Sequence, residues 1–266
     1  MTTNVIQNAD ERVSLGLPRR VAITGGASGI GLACARLFHE SGAGVGLIGR
    51  SRQRLEAAAA TFATDNGAAQ VVVAEADVAD EQAVAGAMDD IAHRLGGLDA
   101  LVISAGIDGE MGAAVLEVTA AGFREVLEVN VLGAFLAAKA ALPYLRKSDA
   151  ATITLIGSDS GFVAVPGMLA YNASKGAIVQ LTRALAVELY DTDRIRVNSI
   201  APSVVDTPMA RRGLGDEVMD NPLFPMQSAE DIAWSVAYVA SRRARAVNGQ
   251  SLLSDFGYTG RSSFPA

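Results

Sequence analysis

The chain of 266 residues is 50% apolar and 19% charged, with 29 acidic side chains against 22 basic ones and a formal net charge of −7. That length buries a large core without disulfide or metal staples, and the lone cysteine, Cys34, excludes an internal disulfide, which fits a reducing cytoplasm. The acidic balance disfavours nucleic acid and anionic membranes as partners, and two distant histidines, His39 and His93, show no metal-ligand spacing.

Residues 1–17 read as a loose extension, because Asp10, Glu11 and Arg12 interrupt it before a signal-peptide core develops. Beyond it, apolar runs stop short of the roughly 18 residues that a membrane span needs. From Arg20 onward, short β-branched runs alternate with Ala-rich segments of helical period. Strands are expected over 20–24, 45–48, 70–74, 100–103, 152–157, 196–200 and near 251–253; helices are expected over 30–41, 52–64, 81–95, about 119–146, 170–190 and 228–240. Such alternation implies a parallel sheet covered on both faces, and strands that are apolar without strict alternation fit that burial. The expectation is an α/β fold with a doubly wound, Rossmann-type sheet, one domain over 18–266. The one weak sign of a boundary is the stretch 211–225, within a small lid placed at about 207–225. The first turn argues against a closed eightfold barrel.

That turn, Thr24-Gly25-Gly26-Ala27-Ser28-Gly29-Ile30-Gly31, lies between a strand and an Ala-rich helix. Glycines there let the backbone turn tightly and approach a pyrophosphate, and free N–H groups at the helix start favour an anion. Gly25, Ser28, Gly29, Ile30 and Gly31 are therefore candidate dinucleotide ligands. After the second strand the chain reads Ile48-Gly49-Arg50-Ser51, without the acid that usually binds the ribose hydroxyls of NAD. Arg50 would instead grip a 2′-phosphate, so NADP(H) is preferred and NAD(H) is the alternative. Asp77 and Val78 would flank adenine, or Asp77 would only cap a turn. Tyr171 and Lys175 stand four apart on one helix face, where an ammonium would bring a phenolic proton within reach of neutral-pH chemistry, and Ser158 closes the preceding strand.

Together these residues resemble the short-chain dehydrogenase/reductase family from about Arg20 to Gly257. Thr24, Gly25, Gly29 and Gly31 match its Thr-Gly-x-x-x-Gly-x-Gly turn, Asn130 its catalytic asparagine, Ser158 its serine thirteen residues before the tyrosine, and Tyr171-Asn172-Ala173-Ser174-Lys175 its active-site motif. Arg196-Val197-Asn198-Ser199-Ile200-Ala201-Pro202, followed by Val205 and Thr207, resembles the segment at the nicotinamide end. The chain departs from the pattern at Ser104-Ala105-Gly106, where Ser104 replaces asparagine and must take over its hydrogen bonding, at Ser203 in place of glycine, and at Ser254-Asp255-Phe256-Gly257 in place of Val-Asp-Gly-Gly.

The resemblance implies hydride transfer between nicotinamide and a carbonyl carbon, with Tyr171 as general acid/base, Ser158 on the substrate oxygen, Lys175 on the nicotinamide ribose and Asn130 holding a water. It also places Ser104, Ala105, Gly106, Pro202, Val205 and Thr207 at the cofactor, and implies a homotetramer, with a dimer as runner-up. A cleft lined by Ile107, Asp108, Met111, Ser160, Phe162, Met168, Leu169, Met209, Leu223 and Phe224 points to a mainly apolar ketone or secondary alcohol. Asp159 reads as a cap of the following turn rather than a substrate ligand. Weaker alternatives are a non-catalytic dinucleotide-binding protein, which the intact reacting groups oppose, and a dehydratase or epimerase. An acyl-carrier-linked ketone would find only Arg211-Arg212 and Arg242-Arg243 as basic docking points.

Overall fold

The fold was obtained as a computed structural model, which describes residues 16–62 and 69–261. Seven parallel strands form one sheet in the order β3-β2-β1-β4-β5-β6-β7. In chain order they are β1 (Arg20–Thr24), β2 (Gly44–Gly49), β3 (Val71–Glu75), β4 (Ala100–Ile103), β5 (Thr152–Ile156), β6 (Arg196–Pro202) and β7 (Ser251–Ser254). The helices are α1 (Gly29–Glu40), α2 (Arg52–Ala59), α3 (Glu81–Leu95), α4 (Ala120–Leu127), α5 (Gly133–Leu145), α6 (Leu169–Asp193), α7 (Pro208–Leu214), α8 (Asp216–Asp220) and α9 (Ala229–Ala240). This is the doubly wound, Rossmann-type single domain that the strand–helix alternation implies.

The strands carry apolar residues on both sides because both sides are covered. On one face Ile48, Leu101, Ile153 and Val197 meet Met88 and Ile91 of α3, Leu145 of α5 and Ile178 of α6. On the other, Ile23, Leu47 and Val102 meet Phe38 of α1 and Ile232 and Val236 of α9. Each fully buried side chain of this kind contributes roughly 1.5–3 kcal/mol of transfer free energy. The order in which the chain adds strands reverses at β1, which pairs with β2 on one side and β4 on the other. The loops leaving β1 and β4 therefore diverge, and a crevice opens at the strands' C-terminal ends.

Four local expectations change. The expected extension ends before Gly16, whose carbonyl accepts the Arg242 N–H at 2.9 Å, while Leu17 packs on the core; residues 1–15 lie outside the described residues. Helix α2 stops at Ala59 rather than 64, since the Thr61 hydroxyl takes the Ala58 carbonyl at 2.7 Å and the backbone tightens into three-residue turns. The helix over 119–146 runs through Ala120–Leu145 but contains a wide π turn at Glu128–Leu132.

That helical stretch also corrects the expectation of no span-length apolar segment: at mean hydropathy 1.5, Ala120–Leu145 is long and apolar enough to cross a membrane by length and composition. Half of its most apolar window is buried inside the protein, where Ala134, Ala137, Ala138 and Ala141 cover the sheet.

Candidate active site

The crevice is a cavity of about 600 Å³ bounded by the β1, β2, β4, β5 and β6 loop ends and by α7. At its β1 end the turn is set by two glycines. Gly25 has φ +68°, and a Cβ there would sit 2.8 Å from the Ala105 nitrogen; a Cβ on Gly31 would sit 2.4 Å from the Gly25 carbonyl oxygen. Gly31 thus shapes the turn from behind and does not line the cavity, whereas Gly25, Ser28, Gly29 and Ile30 do. Thr24 locks β1 to β4, its Oγ1 accepting the N–H groups of Ser104 and Ala105 at 3.2 Å each. These bonds use the Ser104 backbone, and Ser104 borders the cavity with Ala105 and Gly106.

Helix α1 begins without a side-chain cap, as α5, α6 and α8 also do, but it alone of these starts in the glycine-rich turn at the cavity. Ser51, Asp80, Thr119, Thr207 and Ser228 cap their helices with side-chain oxygens, but Ser28 at the α1 N-cap makes no such bond. The first-turn N–H groups of α1 therefore reach the cavity without a side-chain acceptor, which suits a phosphate anion. Arg50, Asp77 and Val78 line the cavity beyond this point. Arg52 is tied to Glu56 at 2.8 Å, while exposed Arg50 makes no ion pair among the described residues. Asp77 both borders the cavity and accepts the Ala79 N–H at 3.0 Å; the cap of α3 is Asp80. These features fit a dinucleotide with its pyrophosphate on α1.

At the other end, Ser158, Tyr171 and Lys175 converge on the same cavity. Ser158 lies two residues beyond β5, at the start of the Asp159–Gly161 turn, and Tyr171 and Lys175 lie one turn apart on α6. Lys175 is 7% exposed; its Nζ donates to the Ile156 carbonyl at 2.9 Å and lies 5.4 Å from the centre of the Tyr171 ring. Burial lowers its pKa to about 8. The expected lowering of the tyrosine does not occur in the protein alone: Tyr171 is pushed up to about 12 by desolvation, against a hydrogen bond to Ser158 and with Asp159 and Asp108 adding to the rise. The physical reason is burial first, which disfavours the phenolate; the two carboxylates add to it, and the ammonium is bonded to the Ile156 carbonyl.

Asn130 sits in the π turn, 3% exposed and behind the cavity wall. Its Oδ1 accepts the Ile107 N–H at 2.8 Å, and its Nδ2 donates to the Ile107 carbonyl at 2.9 Å and the Ser174 hydroxyl at 3.0 Å. Those three bonds join the β4 loop to α6. The wide turn lets a helical residue present a carboxamide to a neighbouring loop.

Of the expected substrate contacts, Ser158, Ser160, Met168 and Met209 line the cavity with Ile107, Asp108, Met111 and Phe224. Phe162, Leu169 and Leu223 do not. The 3₁₀ turn Asp159–Gly161 carries Phe162 past the opening, leaving it 41% exposed, and Val165 borders the cavity instead. Asp159 is also not the cap: Ser158 caps that turn by accepting the Ser160 N–H at 3.1 Å, and Asp159 faces the cavity. The early part of the β6 segment is structural, since buried Arg196 donates to the carbonyls of Val239, Val247 and Ser241, and only Pro202–Val205 and Thr207 reach the cavity.

The wall that the sequence reading missed is Asp255, Phe256, Tyr258 and Arg261. Its one signal was Phe256 at a family glycine position: the backbone there is left-handed, φ 54°. Buried Asp255 holds the loop by accepting Gly257 N–H, Thr259 N–H and the Thr259 hydroxyl at 2.9, 2.7 and 2.6 Å. Expected lid residues form α7 and α8, with Arg211 clamped by Asp206, Asp216 and Asp220, so Arg211 presents no free basic docking point.

A sheet whose strand order reverses at the crevice, an open helix start beside it and a tyrosine–lysine pair opposite are the arrangement of an α/β oxidoreductase working with a nicotinamide dinucleotide. Residues 25–259 match the protein family described as enoyl-(acyl carrier protein) reductase. The chain is 39% identical over 248 residues to 2-(R)-hydroxypropyl-CoM dehydrogenase of Xanthobacter autotrophicus, covering 90% of this chain and 98% of the other. It is 34% identical over 250 residues to meso-2,3-butanediol dehydrogenase of Serratia marcescens, covering 92% and 96%. The solved structure of levodione reductase superposes with a TM-score of 0.83 at 32% identity, covering 92% and 98%. The chain belongs to the short-chain dehydrogenase/reductase family, NAD(P)-dependent oxidoreductases acting on CH–OH and C=O groups.

Proposed function

We propose that the protein interconverts a mainly apolar secondary alcohol and its ketone using NADP(H). The observation that carries this reading is the convergence of Ser158, Tyr171 and Lys175 on a cavity continuous with the uncapped start of α1. The names of the relatives, a hydroxypropyl and a butanediol dehydrogenase and a levodione reductase, accord with such substrates.

A dinucleotide held in this cavity would supply or accept the hydride at its nicotinamide ring. Tyr171 gives its phenolic proton to the carbonyl oxygen in reduction and takes it back in oxidation. Ser158 holds that oxygen by a hydrogen bond, which strengthens as negative charge develops. Lys175 holds the nicotinamide ribose and offsets the charge of the phenolate. Asn130 fixes the Ile107 backbone and Ser174, and so the spacing of the β4 loop from α6. Met111, Met168, Met209 and Phe224 supply the apolar surroundings. Residues 207–225 act as the lid, and the cytoplasm is the compartment, in keeping with the buried thiol of Cys34. Exposed Arg50 binds the 2′-phosphate.

Titration of the purified protein with NADPH and NADH, followed by fluorescence, tests the cofactor half: NADPH should bind at least about tenfold tighter, and Arg50→Ala should remove that difference. Equal loss of both cofactors in Arg50→Ala would refute the role of Arg50. Tyr171→Phe tests the chemistry; it should bind NADPH as the wild type does and lose about 10³-fold or more in turnover. A near-wild-type rate would sink the assignment.

A further inference from the structure

Asp159 is the polar group closest to Ser158 that the proposed chemistry leaves unused. A serine hydroxyl has a single proton: with Tyr171 uncharged, Ser158 Oγ donates it to Asp159 Oδ1 at 3.1 Å while accepting the Ser160 N–H at 3.1 Å, and a phenolate at Tyr171 competes for that same proton. To stabilise the oxygen of a reacting carbonyl, Ser158 has to turn that proton away from Asp159. The carboxylate, half-buried at the cavity wall, then loses the one donor it has among the described residues. A partly desolvated carboxylate without a donor is costly, so a substrate that brings a donor of its own restores the bond count and a plain alcohol does not.

The distances accommodate such a donor. The reacting oxygen lies a hydrogen bond from Ser158 Oγ, and the carboxylate oxygen is 3.1 Å from the same Oγ. A donor bonded to Asp159 on the side facing the substrate fits at about 3 Å from the reacting oxygen, the spacing of oxygens on adjacent carbons. Charge argues in the same direction. A second carboxylate, Asp108, borders the cavity, and the cations nearby are engaged: Lys175 on the Ile156 carbonyl, Arg212 at 4.0 Å from Asp108, and exposed Arg261 over the Tyr258 ring.

We infer that Asp159 is a specificity-determining residue that selects alcohols and ketones bearing a hydroxyl on the carbon next to the reacting one, and rejects substrates with a carboxylate there. This rests on the dehydrogenase reading above. It reverses the sequence reading of Asp159, because the capping role that explained it locally belongs to Ser158.

The test is a matched ring series: cyclohexanol, cyclohexane-1,2-diol as cis and trans isomers, and 2-hydroxycyclohexanecarboxylate, oxidised with NADP⁺ or NAD⁺ by wild type and Asp159→Asn. In the wild type, kcat/KM should be about tenfold higher for the better diol isomer than for cyclohexanol, and about tenfold lower for the carboxylate, the factor expected of one charge-assisted contact. Asparagine keeps the shape and the acceptor for Ser158 but removes the charge, so in Asp159→Asn both ratios should contract to within about threefold. A structural role alone would scale all three substrates together. Wild type that handles all three with equal efficiency, or Asp159→Asn with both ratios unchanged, would overturn the inference and leave the dehydrogenase reading standing. Wild type that binds the dinucleotide yet oxidises none of the three, and reduces none of the matching ketones, would overturn both.

Discussion

Lys175 carries an amino group into a site where only 7% of the residue is exposed and a single carbonyl receives it. The cost of burying that charge appears as a pKa of about 8 against the 10.5 of an ordinary lysine. Between those values the unfolded chain holds a proton that the folded chain has released, so this group makes stability rise as pH increases through that window. The urea midpoint of the cofactor-free wild type should therefore gain on that of Lys175→Met between pH 7.5 and 9.5, roughly one to two pKa units into the window. Parallel midpoints for the two proteins would show that Lys175 titrates normally. Phe256 is a different single-residue cost. An aromatic side chain at φ 54° is strained, and here it stands on the cavity wall at 60% exposure, held there by Asp255.

Among the elements, the α1 turn and the α7–α8 pair contrast in how legible they were. The turn was readable from its glycines and its place between a strand and a helix, because each glycine answers a local backbone demand. The α7–α8 pair fell within the expected small lid, with no helices read there. It becomes two short helices because Thr207 caps α7, Pro208 opens it, and Arg211 gathers Asp206 bidentately at 2.7 and 2.9 Å with Asp220 at 2.9 Å and Asp216 at 3.3 Å. Three carboxylates on one guanidinium make a network rather than an isolated surface pair. Arg211→Ala should release it. Amide exchange over 208–220 should become at least about fivefold faster, while β1 and β4 are unaffected. Unchanged exchange would mean that the α7–α8 pair is held by its contacts with the cavity rim, such as Gly213 against Met111, and not by the ion pairs.

The assembled fold explains the excess of apolar positions on its longest helices. Ala134, Ala137 and Ala141 of α5 and Ile178 and Ala186 of α6 face the sheet, but Leu132 and Phe135 remain 43% and 42% exposed and Val187 71% exposed. Trp234 and Tyr238 of α9 and Leu252 and Leu253 of β7 leave further apolar surface outside, at the edge of the sheet. Apolar surface shared between outer helices and an open edge strand favours a symmetric assembly. Sedimentation at micromolar concentration should show a tetramer, as family resemblance also implies. A monomer would mean that these side chains are ordinary surface residues.

Period and local chemistry carry the parts of this protein that could be read before folding. Apolar runs give the parallel sheet, glycines give the phosphate turn, and a four-residue spacing puts Tyr171 and Lys175 on one helix face, because each depends on neighbours within a turn or strand. The remaining features depend on which loop ends meet at the crevice. Asn130 finds Ile107 across 23 positions, Phe162 is swung past the opening, and the loop carrying Phe256 and Tyr258 returns from the last strand to close a wall. Asp159 turns on the same distinction: by chain position it was a plausible cap, but Ser158 reaches the Ser160 N–H first, and the displaced carboxylate is left facing the cavity. Side chains at loop ends answer to the space around them, and that space exists only once strands far apart in the chain lie side by side.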